Sequence, residues 1–206
     1  MRCKMKEDVL KQYAELVIRI GVNLQSDQLL VIHAPIGCAD FVHALSAEAF
    51  SAGAHDVIVN WNDETFAHIR YTHAPMERFH EFPEWRKQFY DDCAARGAAF
   101  ISIAAQNPDI FSDIDPRKLT ANQASGAALK HYRGRLMSNQ NTWCVVSIPT
   151  EAWACKVFPQ CSAHDAMENL WHEILAAVRI TGGQDPVTAW QKHIALLQQT
   201  AEFLNE

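Results

Sequence analysis

The chain has 206 residues, 24 acidic against 18 basic side chains, a formal net charge of −6, 49% hydrophobic residues and 20% charged ones. This is the composition of a globular domain large enough to bury a real core, and its negative balance argues against sequence-independent nucleic-acid binding, which rests on neutralising phosphates. No apolar run approaches the length of a membrane span, and the amino-terminal MRCKMKEDVLKQYAEL lacks the apolar stretch of a signal peptide, so neither a membrane nor a nucleic-acid partner is expected.

Val9, Tyr13, Leu16, Val17 and Ile20 recur at helical spacing and predict a helix over 6–21 that Gly21 ends. LLVIHA, 29–34, is continuously apolar and reads as a strand, followed by a helix over 39–52 with Gly53 as its stop. A second strand is expected at 57–61 and a helix at 64–73. Pro83 then interrupts, and 84–95 reads as a helix ended by Gly97. A third strand at 98–103, a helix over 116–132 and a fourth strand at 142–148 complete the alternation. The fourth strand runs through Pro149 and Thr150 into a helix start carrying Trp153, Ala154, Val157 and Phe158.

Four apolar strands alternating with helices imply an α/β fold, a parallel sheet of about four strands with helices on both faces, because continuous apolarity means burial on both sides. After Pro159 the pattern becomes helical. Met167, Leu170, Trp171, Ile174, Leu175 and Val178 mark one face of a helix over 162–180, and Gly182-Gly183 reads as its stop. Asp185-Pro186 opens a last helix by N-cap and first-turn chemistry, striped by Trp190, Ile194, Leu197, Ala201 and Leu204. The expected organisation is one α/β domain, with a sheet-and-helix core over 1–160 and a helical segment over 161–206. The last stripe meets no stop signal, which reads as a domain boundary.

Metal and nucleophile motifs fail on inspection. His172-Glu173 begins like HExxH, but position 176 is Ala, and His80-Glu81 is followed by Pro83 where a helix would have to run. Cys155, Cys161, His164 and His172 match no structural zinc spacing. The six cysteines, Cys3, Cys38, Cys93, Cys144, Cys155 and Cys161, follow no framework and are expected as free thiols in the cytoplasm. Cys38 is the sharpest nucleophile candidate, since HAPIGCAD places it at a helix N-terminus, where the dipole favours thiolate. Glycine-rich phosphate loops and GxSxG are absent from the sequence. The basic run Arg117, Lys118, Lys130, His131, Arg133 and Arg135 is read as a solvated helix face.

What remains is a set of polar and aromatic residues at strand ends: His33, Trp61, Asn62, Asp63, Glu64, Gln106, Asn107, Thr150 and Glu151. Ligand crevices in open α/β sheets lie at carboxyl ends of strands. His33, Trp61, Asn62, Glu64, Gln106, Thr150 and Glu151 are therefore the substrate-cavity candidates, although N-caps and turns equally explain Asp63 and Thr150.

In order along the chain, YAELVIRIGVNLQSDQLLVIHAP, AEAFSAGAHDVIVNWND, FPEW, NPDIFSDIDPRKL and RLMSNQNTWCVVSIPTEAWACKVFP, followed by the WHEI and DPVTAWQKHIALL helices, resemble the N-terminal half of the aminopeptidase T (AmpS/PepS) metallopeptidases. The resemblance implies a cytoplasmic, homodimeric exopeptidase that removes N-terminal residues from peptides. It also implies two divalent metal ions, zinc or cobalt, that activate water and polarise the scissile carbonyl. In that family the ligands lie in a C-terminal catalytic domain beyond this stretch. The resemblance therefore implies no catalytic or metal-ligating residue and no metal in this chain, which would wall the substrate cavity and support the catalytic domain or the dimer. The residues themselves leave two alternatives open: a free-standing α/β domain binding a small molecule, and a thiol enzyme using Cys38.

Overall fold

A computed structural model describes residues 7–180 and 185–205. The Gly182-Gly183 stop and Cys3 lie outside those residues. Four strands, β1 (Leu29–Pro35), β2 (Asp56–Asn62), β3 (Ala99–Ala104) and β4 (Trp143–Ser147), form one sheet in the order β2-β1-β3-β4. Every pairing is parallel, and His33 on β1 sits level with Asn60 on β2 and Ser102 on β3.

The order reverses at β1. The chain steps from β1 outward to β2, then crosses back over β1 to β3 and β4. Because parallel crossovers are right-handed, helices on the two limbs must fall on opposite faces. Accordingly α1 (Glu7–Leu16), α2 (Ala39–Ser51), α7 (Glu151–Val157) and α8 (Ala163–Ala177) share one core with Leu30, Ile32, Ala34, Ile101, Ile103 and Val146. On the other face α4 (Glu84–Ala95) and α6 (Lys130–Met137) bury Tyr90, Ala94, Tyr132 and Leu136 against Leu29, Val31 and Phe100. The expected α/β architecture is the observed one.

Several boundaries carry information. The first helix continues beyond Leu16 as a π-helical turn, Val17–Gly21, and there the absence of a side chain on Gly21 matters. A Cβ on it would stand 3.0 Å from the Cys144 sulfur. The helix expected over 116–132 is broken into α5 (Pro116–Ser125), a 3-10 turn (Gly126–Leu129) and α6. Ser125 and Gly126 are weak helix formers, Ser125 Oγ bonds back to the Asn122 carbonyl at 2.8 Å, and the Arg133 guanidinium lies over Gly126 where a side chain would sit. Short 3-10 turns at Ile36–Cys38 and Met76–Phe79 have no periodic signal in the sequence.

The fourth strand is not buried on both sides as its apolarity suggests. It is a sheet edge, and Trp143 and Val145 are 42% and 57% exposed on the face that α6 leaves partly uncovered. Tyr13 closes the far end of that edge: its hydroxyl donates to the Ser147 carbonyl at 3.4 Å and accepts from the Ser147 amide at 3.3 Å. Burial pushes this phenol up to about 12, so it stays a donor across the physiological range.

The turn into β4 is fixed by Asn141, a polar side chain only 2% exposed. Its Nδ2 donates to the carbonyls of Ala94 at 3.1 Å and Ala98 at 2.9 Å, and its Oδ1 accepts from Arg135 Nε at 2.9 Å. It ties α4, α6 and the starts of β3 and β4 together. Asn141→Ala takes this donor from the Ala98 carbonyl and the acceptor from Arg135 Nε, while the Ala94 carbonyl keeps the Gly97 amide at 3.0 Å, so a loss of about 1–3 kcal/mol in urea-unfolding free energy is expected. An unchanged unfolding midpoint would show that the turn is held by something else.

Candidate functional site at the carboxyl edge of the sheet

The reversal of strand order puts the open crevice of the sheet between the carboxyl ends of β1 and β3. The β1 end turns through Pro35 and the 3-10 turn to Cys38, whereas the β3 end feeds a loop over 105–115. That loop is clamped from both sides. Glu64 in the first turn of α3 (Glu64–His73) accepts the Asn107 amide at 2.9 Å, and His68 Nε2 lies 2.9 Å from Asp113 Oδ1. On the β4 side Thr150 Oγ1 lies 3.3 Å from the Gln106 carbonyl, to which it donates, and accepts from the Trp153 amide at 3.2 Å as the N-cap of α7. Lys156 pairs with Asp109.

The sequence candidates divide accordingly. Glu64, Gln106 and Thr150 are brought together through this loop, and their polar groups hold it in place. Asp63 caps α3, accepting from Thr65 at 2.8 Å and Phe66 at 3.2 Å. Trp61, Asn62, Gln106 and Glu151 are exposed along the same edge and present their side chains outward. His68, Asp109, Asp113 and Lys156, which complete the clamp, carry no motif. Asn107-Pro108-Asp109 offers the one local cue, because the Asn107 side chain accepts the Asp109 amide at 3.0 Å as an Asx turn does.

Beside the clamp, α3 and α5 form a satellite around Phe79, which is fully buried. Tyr71 stacks on Phe79 at 4.9 Å, and the Arg70 guanidinium covers the same ring at 4.5 Å. Lys118 Nζ caps the carboxyl end of α3, donating to the carbonyls of Tyr71 at 2.6 Å and Ala74 at 2.8 Å. The basic run is thereby broken up: Lys118 is spent on carbonyls, Arg117 on Asp115 at 2.7 Å, and Arg135 on Asn141.

His33 stands apart from the rim. It lies within the sheet face, its ring 5.4 Å from Tyr90 and parallel to Phe100 at 6.4 Å, level with Asn60, whose Nδ2 donates to Tyr90 Oη at 3.2 Å. Its Nε2 is buried with no hydrogen-bond partner among the described residues. Burial, reinforced by the Arg86 charge, pushes the imidazole down to about 4, so it is neutral at physiological pH.

Cys38 is at the N-terminus of α2, as expected, but is 5% exposed and part of the main core, which leaves its thiol no open approach for a substrate. Among the described residues no three His, Cys, Asp or Glu side chains converge as metal ligands. His172 and Glu173 are both largely exposed, 3.6 Å apart on α8. These residues do not fit a metal pair, and no catalytic step is assigned to them. Among the described residues, no helix is long and apolar enough to cross a membrane.

A parallel sheet with helices on both faces and a strand order reversing beside β1 defines a doubly wound α/β domain. The chain belongs to the thermophilic metalloprotease (M29) family, which it matches over residues 6–206. It is 40% identical to aminopeptidase 2 of Geobacillus stearothermophilus over 97% of its own length and 48% of that protein, and 40% identical to aminopeptidase AmpS of Bacillus subtilis over 96% and 48%. Among solved structures, AmpT from Thermus thermophilus superposes with a TM-score of 0.87 at 28% identity, covering 97% of this chain and 49% of that one. The chain thus spans about half the length of the relatives it matches.

The folded-state preference for neutral His33 has a consequence for acid stability. The unfolded chain takes up a proton near pH 6.5, whereas the folded chain does so only near pH 4. Stability is therefore full above about pH 6.5, falls through that window, and is lower by on the order of 3 kcal/mol below about pH 4. In His33→Phe the fall in urea-unfolding free energy between pH 7 and pH 4.5 should shrink by about 2 kcal/mol. An identical fall in both proteins would mean that His33 is not the titrating group.

Proposed function

We propose that this chain is the non-catalytic, N-terminal half-domain of a cytoplasmic, homodimeric metal-dependent aminopeptidase, a hydrolase that removes N-terminal residues from peptides. The observation that carries this reading is the collinear 40% identity, over nearly the whole chain, with one half of proteins named as aminopeptidases. In this reading the paired divalent ions, zinc or cobalt, and their carboxylate and imidazole ligands belong to the C-terminal catalytic half, where they supply the activated water and the polarised carbonyl.

The half-domain contributes shape. Its carboxyl edge, with Trp61, Asn62, Gln106 and Glu151 facing outward beside the clamped loop, walls the cavity that receives the peptide. Glu64 and Thr150 act indirectly, by fixing that loop. His33 supports the wall from within the sheet face. A rigid wall is what an exopeptidase requires, because holding the substrate amine and scissile carbonyl at fixed positions converts binding into orientation.

The test is a chimera in which residues 1–206 replace the matching half of Bacillus subtilis AmpS. The chimera is expected to hydrolyse an aminoacyl anilide, while the 206-residue chain alone is not. Trp61→Ala in the chimera should raise KM about tenfold with a smaller effect on kcat, as loss of uniform substrate binding does. Hydrolysis by the isolated chain at the chimera's rate would end this reading.

A further inference from the structure

The first turns of the last helix, α9 (Pro186–Asn205), are anchored through the buried Pro186 and through Trp190, and the helix also lies against α1 and the π-helical turn that follows it. Trp190 Nε1 donates to the Val178 carbonyl at 2.8 Å, the Arg179 guanidinium stands over the indole at 5.9 Å, and Trp190 packs against the main core. From Ile194 onward every described residue is exposed. The composition does not suit that exposure. Ile194, Leu196, Leu197, Phe203 and Leu204 are 37%, 59%, 52%, 75% and 75% exposed, and Glu202 is the single charged side chain between 194 and 205. A free solvated helix is normally polar on its outer face.

The width of the apolar face selects the kind of partner. At about 100° per residue, Ile194, Leu197, Ala201 and Leu204 fall on one strip, while Leu196 and Phe203 lie beyond Thr200, whose hydroxyl is satisfied by the Leu196 carbonyl at 2.9 Å, so that apolar side chains are spread over about half the helix circumference. A two-helix coiled-coil seam uses only the narrow a/d strip. A face about twice that width suits a helix laid into a broad surface of another domain. The relatives supply such a body: the family match runs through this helix, and each relative contains about as much chain again outside the match.

On these grounds, and resting on the function proposed above, we infer that the distal part of α9 is the docking element for the catalytic half of the protein, with Leu197, Phe203 and Leu204 as its anchors. The helix is anchored at its start by Trp190 and Arg179 and inserts its apolar face into the other half.

Amide hydrogen exchange of residues 194–204 tests this in two proteins: the 206-residue chain, and the same chain continued by the half of Bacillus subtilis AmpS that lies outside the match. Exchange is expected to slow at least ~10-fold in the longer protein. Leu197→Glu with Leu204→Glu should restore fast exchange there, while barely moving the melting temperature of the 206-residue chain, where both side chains are exposed. Equal exchange in the two proteins overturns the inference. So does slow exchange in the 206-residue chain accompanied by a dimeric mass, because the occupant is then a second copy. Anilide hydrolysis measured on the same longer protein separates the two readings. Protection without hydrolysis refutes the enzymatic assignment alone, and hydrolysis without protection refutes the docking alone.

Discussion

Everything in this domain hangs on β1, an internal strand that feeds both cores and beside which the strand order reverses. It is paired on both sides, to β2 and β3, and Leu30, Val31 and Ile32 have no exposed surface. Even-numbered residues feed the core of α1, α2 and α8, whereas Leu29 and Val31 feed that of α4 and α6. Cutting one such side chain back to alanine costs about 2–5 kcal/mol, a large share of the 5–15 kcal/mol that holds a domain together. The same centrality creates the reversal of strand order, and so dictates where a crevice can exist at all.

What occupies that crevice edge is mostly self-satisfied polar structure. Glu64, Thr150, His68 and Lys156 hold the loop over 105–115 between the ends of β2 and β4. The individual surface pairs contribute little energy, on the order of 1 kcal/mol or less each. Their effect is positional, since four anchors on two helices leave the loop few alternative arrangements. That fixed edge suits the role of a cavity wall proposed above, and the chain matches about half the length of the aminopeptidases it resembles.

The strands and most helices were legible because their signals are local. LLVIHA is apolar without alternation, Asp63 and Thr150 are good caps, and Gly53 and Gly97 end helices with positive φ. The edge position of β4 was not legible, because Trp143 and Val145 have the composition of buried residues and only the strand order reveals that one side is open. The break in the 116–132 helix was half visible in Ser125-Gly126, yet the Arg133 side chain that occupies the space over Gly126 is a tertiary fact. Among the site residues, Glu64, Gln106 and Thr150 lie along one edge of the sheet, joined through hydrogen bonds of the loop over 105–115. Chain position could not reveal that His33 lies inside the sheet face between Tyr90 and Phe100, because one residue's shift along a strand exchanges solvent for core. The partners of the clamp, separated by more than forty residues in sequence, leave no pattern to read.

In the function proposed above, the metal-dependent chemistry belongs to a part of the protein other than these residues. Calorimetric titration of the purified 206-residue chain with Zn²⁺ and with Co²⁺ addresses it most directly. The account predicts no saturable, stoichiometric binding of either ion to this chain. Saturable binding of two ions per chain at micromolar or lower dissociation constants would contradict it, and would place the metal centre within the domain described above.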